Sequence, residues 1–382
     1  MVKVIKIMKI CHITSVHSRN DVRIFQRECT SLAKDPENEV IFICCDGKDR
    51  EEKSNVKIIS YSNIELTKKE RLKLLFFNQR FIDYLQALHA DFYQFHDFEL
   101  SEIGRKLARR GNKVIFDSHE NWIGNVAHLF SKKRNSILNK LVRKFIDSYY
   151  KFTLKRFSAV FTVSPNMVDD LKKYTRNVYF VPNYPSVKGI QNRVIDNLSN
   201  NEFVFQGTVY DISNQETIVK ALQRLKNNST YKIIGKISES LKSNVEKLDQ
   251  KKRVNILGWI SPEELNVQMS NSIAGMVILD YSVVCCYEEG QLGSNKIFEY
   301  MKIGLPVICT DFKLWKELII DKYCCGIAIP PQNVEKMKDA MEYIISNKEE
   351  AVEMGKRGQE AIIKEFNWEL YEDEFVNRYK IL

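Results

Sequence analysis

Apolar runs alternate with amphipathic stretches along most of this 382-residue chain. The runs have the length of buried strands, and the stretches between them carry apolar residues at helical spacing. This alternation predicts repeated strand–helix units with parallel sheets, and therefore an α/β fold. A polar, irregular segment, 188–201, follows the rigid turn Pro182-Asn183-Tyr184-Pro185. The segment predicts a linker between two doubly wound, Rossmann-like domains.

The pattern places strands in both halves of the chain. In the first half the predicted strands are Lys9–Ser15, Val40–Cys45, Phe92–His96, Lys113–Ser118, Ala159–Val163 and Val178–Val181. In the second half they are Glu202–Gln206, Tyr231–Ile234, Val254–Leu257, Ala274–Leu279, Val307–Thr310 and Gly326–Ile329. Helices are predicted from Asp21 to about Lys34 and over Glu99–Arg110, Val334–Ser346, Lys348–Glu365 and Trp368–Leu382. In such sheets ligands bind beyond the carboxyl ends of the strands.

Composition narrows the class of protein. The length suits two domains, and the 44% apolar content supports sizeable cores. No apolar run is long enough to span a bilayer, and the lysine-interrupted start does not predict a secretory signal. The nine cysteines lack the spacing of a zinc site, so we expect reduced thiols in a cytoplasmic protein. No dinucleotide, P-loop or acidic metal motif is present, and we expect neither a cofactor nor a metal.

The positive charge is concentrated in the first half. Residues 1–182 carry 33 Lys and Arg against 21 Asp and Glu, whereas the remainder carries 25 against 28. This bias predicts an anionic partner, which could be a membrane surface, a nucleic acid or a phosphorylated substrate. Nucleic acid is unsupported, because no RNA-recognition, KH or finger signature accompanies the basic residues.

Two basic segments also have apolar residues at helical spacing, Ser131–Arg156 and Leu66–Leu88. The first holds nine basic residues and one acid, Asp147. A basic amphipathic helix can lie on an anionic bilayer. A helix whose apolar stripe faces the sheet would show the same pattern, and both interpretations stay open.

Candidate chemistry in the first half lies in loops after predicted strands. Four of the six histidines lie in or next to such loops: His17, His96, His119 and, more loosely, His12. A neutral imidazole there can hydrogen-bond a sugar hydroxyl or a phosphate oxygen. Arg19 or Arg23 could hold an anionic acceptor, and Asp21 is a candidate helix cap. Asp97 is expected to cap the helix that follows it.

In the second half the main candidate is Gly293–Val307, where a polar turn leads into a short helix. A helix start is an anion site, and Glu299 one turn inside it could accept hydrogen bonds from a diol. Phosphate plus diol is the chemistry of a nucleotide sugar. Gly207, after a predicted strand, would let backbone approach a ligand closely. Trp259 and Ile260 follow another strand and could form a ledge for a nucleobase.

With these residues in view, the sequence resembles glycosyltransferase family 4, the retaining enzymes of the GT-B fold, nearly from end to end. The similar stretches are Ile10–Leu32, Phe95–Glu120 and Asn295–Val307, and the first two look like a bacterial polysaccharide branch. The resemblance implies two Rossmann-like domains facing a cleft, acceptor-binding over 1–184 and donor-binding over 185–366. It also implies that the last helix, within 367–382, returns to the first domain.

The resemblance also assigns roles to residues. It implies that His119 contacts the transferred sugar and that Glu299 binds the ribose diol, and these are the predicted catalytic residues. The predicted donor-binding residues are Gly207, Thr208, Lys236, Trp259, Ile260, Gln291, Ser294, Asn295, Lys296, Ile297, Phe298 and Glu299. The predicted acceptor-binding residues are His17, Arg19, Asp21, Arg23 and His96.

The chain departs from the family pattern around the donor. Gln291 stands where the family has a second glutamate, and Thr208-Val209 and Asn214-Gln215 stand where basic residues are common. We expect Lys296, the helix amides and Lys236 to supply the missing charge.

The expected function is metal-independent transfer of a sugar, with retention, from a nucleoside-diphosphate sugar to a glycan acceptor in polysaccharide synthesis. The basic segments favour a lipid-linked acceptor and a cytoplasmic protein peripheral to the membrane. The alternatives are a soluble transferase acting on a protein or small molecule, and a non-catalytic GT-B partner subunit.

Overall fold

The structure is a computed structural model that describes residues 7–74, 76, 78–130, 136–190 and 201–382. Contacts divide the chain into two compact units. The first unit is Met1–Pro182 with Tyr371–Leu382, and the second is Asn183–Leu370. The predicted boundaries lie within a few residues of these divisions. None of the helices in the described residues has the length and apolar character that a bilayer crossing requires.

The first unit is built on an eight-stranded sheet. Its strands are β1 (Met8–Ile13), β2 (Asn38–Cys44), β3 (Glu51–Lys53), β4 (Val56–Ser60), β5 (Phe92–Phe95), β6 (Lys113–Ser118), β7 (Ala159–Thr162) and β8 (Val178–Phe180). They are ordered β3-β4-β2-β1-β5-β6-β7-β8, and only β3 runs antiparallel to its neighbour. The chain order reverses between β1 and β5, so the loops after these two strands lie at the switch point where such sheets bind ligands.

The helices of the first unit bury one face against this sheet. After a π-helical segment, Ile24–Cys29, they are α1 (Thr30–Leu32), α2 (Lys68–Lys73), α3 (Gln79–Ala87), α4 (Ser101–Arg109), α5 (Trp122–Phe130), α6 (Ile137–Thr153) and α7 (Pro165–Leu171). In α3 the buried residues are Phe81, Ile82 and Leu85, which fall on one helical face. For α3, which lies within the basic segment Leu66–Leu88, the structure therefore supports a helix whose apolar stripe faces the sheet.

The second unit is a six-stranded parallel sheet with helices between its strands. Its strands are β9 (Glu202–Gln206), β10 (Thr230–Ile234), β11 (Val254–Gly258), β12 (Ala274–Val277), β13 (Val307–Thr310) and β14 (Gly326–Ile329). They are ordered β11-β10-β9-β12-β13-β14. Its helices are α8 (Gln215–Arg224), α9 (Glu239–Leu248), α10 (Pro262–Ser270), α11 (Asn295–Lys302), α12 (Lys313–Trp315), α13 (Asp321–Tyr323), α14 (Val334–Ser346) and α15 (Lys348–Lys364), and the last helix of the chain is α16 (Glu369–Ile381). The two α/β units confirm the predicted fold class.

Most of α16 belongs to the first unit. Phe375 and Tyr379 are buried on its inner face. The Phe375 ring packs 5.8 Å from that of Phe161 on β7, and the Tyr379 ring packs 5.2 Å from that of Phe92 on β5. Aromatic pairs at these distances add to the stability gained from burial. The last helix is therefore part of the core of the first unit.

Candidate functional site

Three neighbouring strands of the second unit end in glycine. Gly207 and Gly235 follow β9 and β10, and Gly258 ends β11. Each has a positive φ, between 71° and 134°. A methyl group on Gly235 would come within 2.2 Å of the Gly207 carbonyl oxygen. At these three positions no side chain covers the sheet edge, so a ligand can approach the backbone closely.

Lys296 brings a positive charge to this edge from the first turn of α11. A methyl group on Gly207 would lie 3.4 Å from Lys296 Nζ, so the ammonium sits beside the end of β9. Burial lowers the pKa of Lys296. Among the described residues no carboxylate pairs with this ammonium. A desolvated cation without a counter-ion is unfavourable, and an anion bound here would relieve that.

The start of α11 is held in place by the packing of its other residues. Ile297 and Phe298 are fully buried, so their side chains face the core and only their amides are near the helix start. The Tyr300 hydroxyl accepts a hydrogen bond from the Gln206 amide, at 2.8 Å, which ties α11 to the end of β9. Since the first four N–H groups of a helix lack intrahelical acceptors, this end is suited to an anion. Glu299 lies one turn further in and is partly exposed.

Gln291 holds the loop that leads into α11. Its side-chain Oε1 accepts from the Gly293 amide at 2.9 Å, and its Nε2 donates to the Val284 carbonyl at 3.3 Å. The Trp315 indole N–H donates to the Gln291 carbonyl at 2.8 Å. An ionised glutamate could not donate to Val284. The amide is thus matched to this loop, which gives the departure from the family pattern a local reason.

The remaining predicted donor residues differ in exposure. Trp259 is 74% exposed, as a stacking ledge requires, and Ile260 beside it is half-buried. Lys236 is exposed after β10, and Thr208 follows Gly207 at the same edge. Ser294 precedes α11 without a side-chain capping bond, and Asn295 is its first residue. These residues share one edge of the sheet, and of the two predicted lysines Lys296 is partly buried whereas Lys236 is exposed.

In the first unit the side chains converge on Asp117, the buried penultimate residue of β6. His119 Nε2 lies 2.7 Å from Asp117 Oδ2, and His96 Nδ1 lies 3.1 Å from the same oxygen. Arg23 donates to both carboxylate oxygens, at 2.8 and 3.0 Å. Although burial by itself favours the neutral acid, Arg23 and His119 hold the pKa of Asp117 well below its usual range. Asp117 is therefore an ionised carboxylate that orients His119.

Three of the five predicted acceptor residues have other roles in the structure. Arg23 is buried and paired with Asp117, and it also donates to the Val181 and Pro182 carbonyls. Arg19 is buried and bonded through Nε to Asp46 at 2.6 Å. His96 has a fully buried side chain. Burial chiefly lowers the pKa of His96, to about 4, so it is neutral at physiological pH. These three side chains are buried and hold the loops together through the contacts above; acceptor binding by them stays a prediction.

His17 and His119 are the partly exposed histidines of this cluster, with rings 5.3 Å apart. His17 Nδ1 lies 3.1 Å from Asp21 Oδ2, and its Nε2 lies 3.6 Å from Asp97 Oδ1. Although burial opposes the charged ring, these carboxylates raise the pKa of His17 to about 9. Asp21 also accepts from the Arg23 and Ile24 amides, at 2.9 Å each, as a helix cap does. A cationic imidazole therefore stands beside His119.

The expectation that Asp97 caps the following helix is wrong. No side-chain capping bond is made there. Its carboxylate instead accepts from the Thr14 hydroxyl at 2.8 Å and the Ser15 amide at 2.6 Å, and so joins the loops after β1 and β5. Asp117 was not among the predicted site residues, and the available signal was its position in the Asp-Ser-His-Glu run that begins at the end of β6.

One face of α6 is apolar and exposed. Its inner face buries Ile146, Tyr150 and Thr153. The exposed apolar residues of this helix are Ile137, Leu138, Leu141, Phe145 and Phe152. Lys140, Lys144 and Lys151 are exposed among them. The buried inner face of α6 fits a helix packed on its own unit, and its outer face is apolar and exposed. The first residues of the basic segment, 131–135, lie outside the described part of the chain.

Each half of the chain matches a known protein family. Residues 23–184 match the family described as Glycosyltransferase Family 4. Residues 188–361 match the family described as Glycosyl transferases group 1. The chain is therefore a family 4-like glycosyltransferase of the GT-B class. A comparison with curated protein sequences gave no significant match.

Solved structures share the fold at low sequence identity. Sucrose-phosphate synthase from Thermosynechococcus elongatus has a TM-score of 0.77 at 16% identity, with 98% of each chain covered. HepE from Anabaena, in complex with UDP-glucose, has a TM-score of 0.72 at 12% identity, with 98% of this chain and 100% of HepE covered. The lipopolysaccharide outer core galactosyltransferase WaaB has a TM-score of 0.62 at 17% identity, with coverage of 98% and 100%. At these identities the similarities establish the fold.

Proposed function

We propose that this chain transfers a sugar from a nucleoside-diphosphate sugar to a glycan acceptor, with retention, and without a metal or other cofactor. The observation that carries the proposal is the partly buried ammonium of Lys296 at the start of α11, beside the glycine ends of β9 and β10. The amides and this cation would stabilise the charge that develops on the diphosphate leaving group. The UDP and UDP-glucose held by the HepE structures support a nucleotide sugar as donor.

The roles of individual residues follow from their positions. Glu299 would bind the ribose diol, and Trp259 with Ile260 would contact the base. Thr208 and Lys236 would contact the donor from the ends of β9 and β10. On the acceptor side, His119 would contact the transferred sugar, and the cationic His17 would hold an anionic or hydroxyl group of the acceptor.

Donor binding is the first test of this function. A thermal-shift screen with UDP, GDP, ADP and their glucose conjugates should raise the melting temperature with one nucleotide series. A ligand at one hundred times its dissociation constant stabilises the bound state by about 2.7 kcal/mol. A second screen with Glu299→Gln should show a reduced shift. If no nucleotide shifts the native protein, the proposal fails and a non-catalytic partner role is favoured.

The acceptor is proposed to be lipid-linked, and the protein to lie on the cytoplasmic face of the membrane. The exposed apolar face of α6 supports this, because its neighbouring lysines complement an anionic surface. Each lysine near such a surface contributes about 1 kcal/mol. An exposed cluster of large apolar side chains on one helix is otherwise unfavourable in water.

Flotation with vesicles that contain anionic lipid tests this membrane contact. The native protein should float with the vesicles, and the double variant Leu141→Asp with Phe145→Asp should stay in the soluble fraction. The matched control is Ile363→Asp, at a residue 52% exposed in the second unit, which should float as the native protein does. A native protein that does not float would contradict the membrane proposal while leaving sugar transfer to a soluble acceptor intact.

A further inference from the structure

A continuous series of buried polar contacts joins α16 to His119 within the first unit. The Tyr379 hydroxyl, on α16, lies 3.3 Å from His12 Nε2. His12 Nδ1 lies 3.1 Å from His96 Nε2. His96 Nδ1 in turn lies 3.1 Å from Asp117, which holds His119 at 2.7 Å. Every member except His119 is fully enclosed, so the direction of each hydrogen bond is fixed by its neighbours and not by water.

Asp117 determines that direction. Its carboxylate is ionised, so it can only accept hydrogen bonds. His96 must then donate from Nδ1, because a neutral ring with its lone pair at Nδ1 would face the carboxylate lone pairs. A charged His96 ring is disfavoured by its burial. With its proton on Nδ1, His96 must accept at Nε2, and His12 must donate from its own Nδ1.

The same reasoning extends to the far end of the series. His12 Nε2 is left as an acceptor, and the Tyr379 hydroxyl is its donor. The Tyr379 oxygen also contacts the side-chain amide of Gln94. In the structure Tyr379 donates to Gln94 Oε1, and Gln94 Nε2 donates to Glu28 at 2.7 Å. If Tyr379 gives its proton to His12, the Gln94 amide must be turned over, so that its N–H meets Tyr379 and its carbonyl meets Glu28. Glu28 must then be the neutral acid, as burial and the nearby Asp117 charge also favour.

We propose that Tyr379 is a positioning residue for His119. Its hydroxyl fixes the direction of the hydrogen bonds in the series, so that Tyr379 donates to His12, His12 donates to His96, and His96 donates to Asp117. The consequence for His119 is a defined tautomer. Its Nε2 carries the proton given to Asp117, and its Nδ1 lone pair remains available to a substrate. The proposal depends on the proposed function only for the statement that His119 contacts a substrate.

The charges around His119 set the expected effect of losing this anchor. The groups that face His119 are Asp117 from β6, His96 from β5, His17 and Asp21 from the segment after β1, and Arg23 behind Asp117. Without the Tyr379 hydroxyl, His96 no longer donates reliably to Asp117. The Asp117 charge is then shared among fewer donors and attracts the His119 proton more strongly.

Nuclear magnetic resonance of ¹⁵N-histidine protein tests this directly, since it reports which ring nitrogen of each histidine carries a proton. The native protein should show His12 and His96 protonated on Nδ1 and His119 on Nε2. Tyr379→Phe should abolish the single-tautomer signals of His12 and His96, because the hydroxyl that donates to His12 is gone. These spectra need no substrate, so they remain readable if sugar transfer fails.

Two further variants keep the test specific. Tyr93→Phe is the matched control, because it removes a buried hydroxyl that contacts the Leu85 carbonyl and the Ala90 amide, outside the series. It should leave all histidine signals unchanged. Glu28→Gln should also preserve the tautomers, since a neutral amide can replace the neutral acid as donor. The proposal is overturned if the native His12 and His96 carry their protons on Nε2, or if Tyr379→Phe behaves like Tyr93→Phe.

Discussion

Replacing Arg23 with methionine should destabilise the first unit by about 3–5 kcal/mol, because the change leaves the buried, ionised carboxylate of Asp117 without its counter-ion. Arg23 is 4% exposed and pairs with Asp117 at 2.8 Å and with Glu28 at 3.0 Å. For a unit of this size the loss corresponds to a fall of about 6–20 °C in melting temperature. Thermal melting followed by circular dichroism measures it.

The effect should depend on pH in a defined direction. Because the folded-state pKa of Asp117 is lowered, its ionisation stabilises the fold above its unfolded pKa of about 3.9 and this contribution disappears as pH falls. The difference between native protein and Arg23→Met should therefore be greatest near neutral pH and shrink below about pH 4.

Arg110→Met is the matched control for this experiment. Arg110 pairs with Asp83 at 3.8 Å, and both side chains are more than a third exposed. Exposed pairs contribute about 0–1 kcal/mol, so this variant should melt close to the native protein. Arg23→Lys keeps the charge but loses the two-pronged geometry, so its melting temperature should lie between those of Arg23→Met and Arg110→Met. This variant remains measurable if Arg23→Met does not fold. Equal melting of Arg23→Met and Arg110→Met would contradict the assigned role.

Lys296→Met should weaken binding of the nucleoside diphosphate by about ten- to a hundredfold. A hydrogen bond to a charged group contributes about 1.5–3 kcal/mol, and each 1.4 kcal/mol is tenfold in affinity. Titration calorimetry with whichever of UDP, GDP and ADP the native protein binds provides the measurement. Lys236→Met is the control, because Lys236 is exposed and solvent screens its charge; its loss should be less than about fivefold.

Lys296 should also give nucleotide binding a distinctive pH dependence. Only the protonated ammonium attracts a diphosphate, and burial lowers the pKa of Lys296. Affinity should therefore begin to fall at a lower pH than it would for an ordinary lysine, whose pKa is about 10.4. The terminal phosphate is already fully ionised there, because its last pKa is about 6. The decline should be absent from Lys296→Met, and a decline of equal size in that variant would assign it to another group.

Most strands were predictable, because the residues that are buried in the sheets also form short apolar runs in the sequence. Lys113–Ser118, Val307–Thr310 and Gly326–Ile329 are short apolar runs at the observed bounds. β3 is fully exposed and has no apolar pattern, so it was not predicted, and β4 was not predicted either. The start of α11 was also predictable, since a turn, a helix and a glycine stop lie next to one another in sequence.

The site of the first unit was less predictable, because its contacts join residues far apart in the chain. Arg23 and Asp117 are separated by 94 positions, and Tyr379 and His12 by 367. In sequence, Arg23 lies in a polar, basic loop and resembles a ligand-binding arginine. Only the folded sheet brings β1, β5 and β6 side by side and places their loops around one buried carboxylate.

The glycine edge of the second unit constrains how donor specificity could be redesigned. Alanine at 235 would meet the backbone of Gly207, which cannot move aside as a flexible side chain can. Gly258 has open space, but its φ of 71° disfavours most other residues. A library aimed at a new sugar or base would therefore do better to leave these three glycines fixed. Its diversity belongs at Thr208, Trp259 and Ile260, whose side chains could vary without disturbing the backbone of these three glycines.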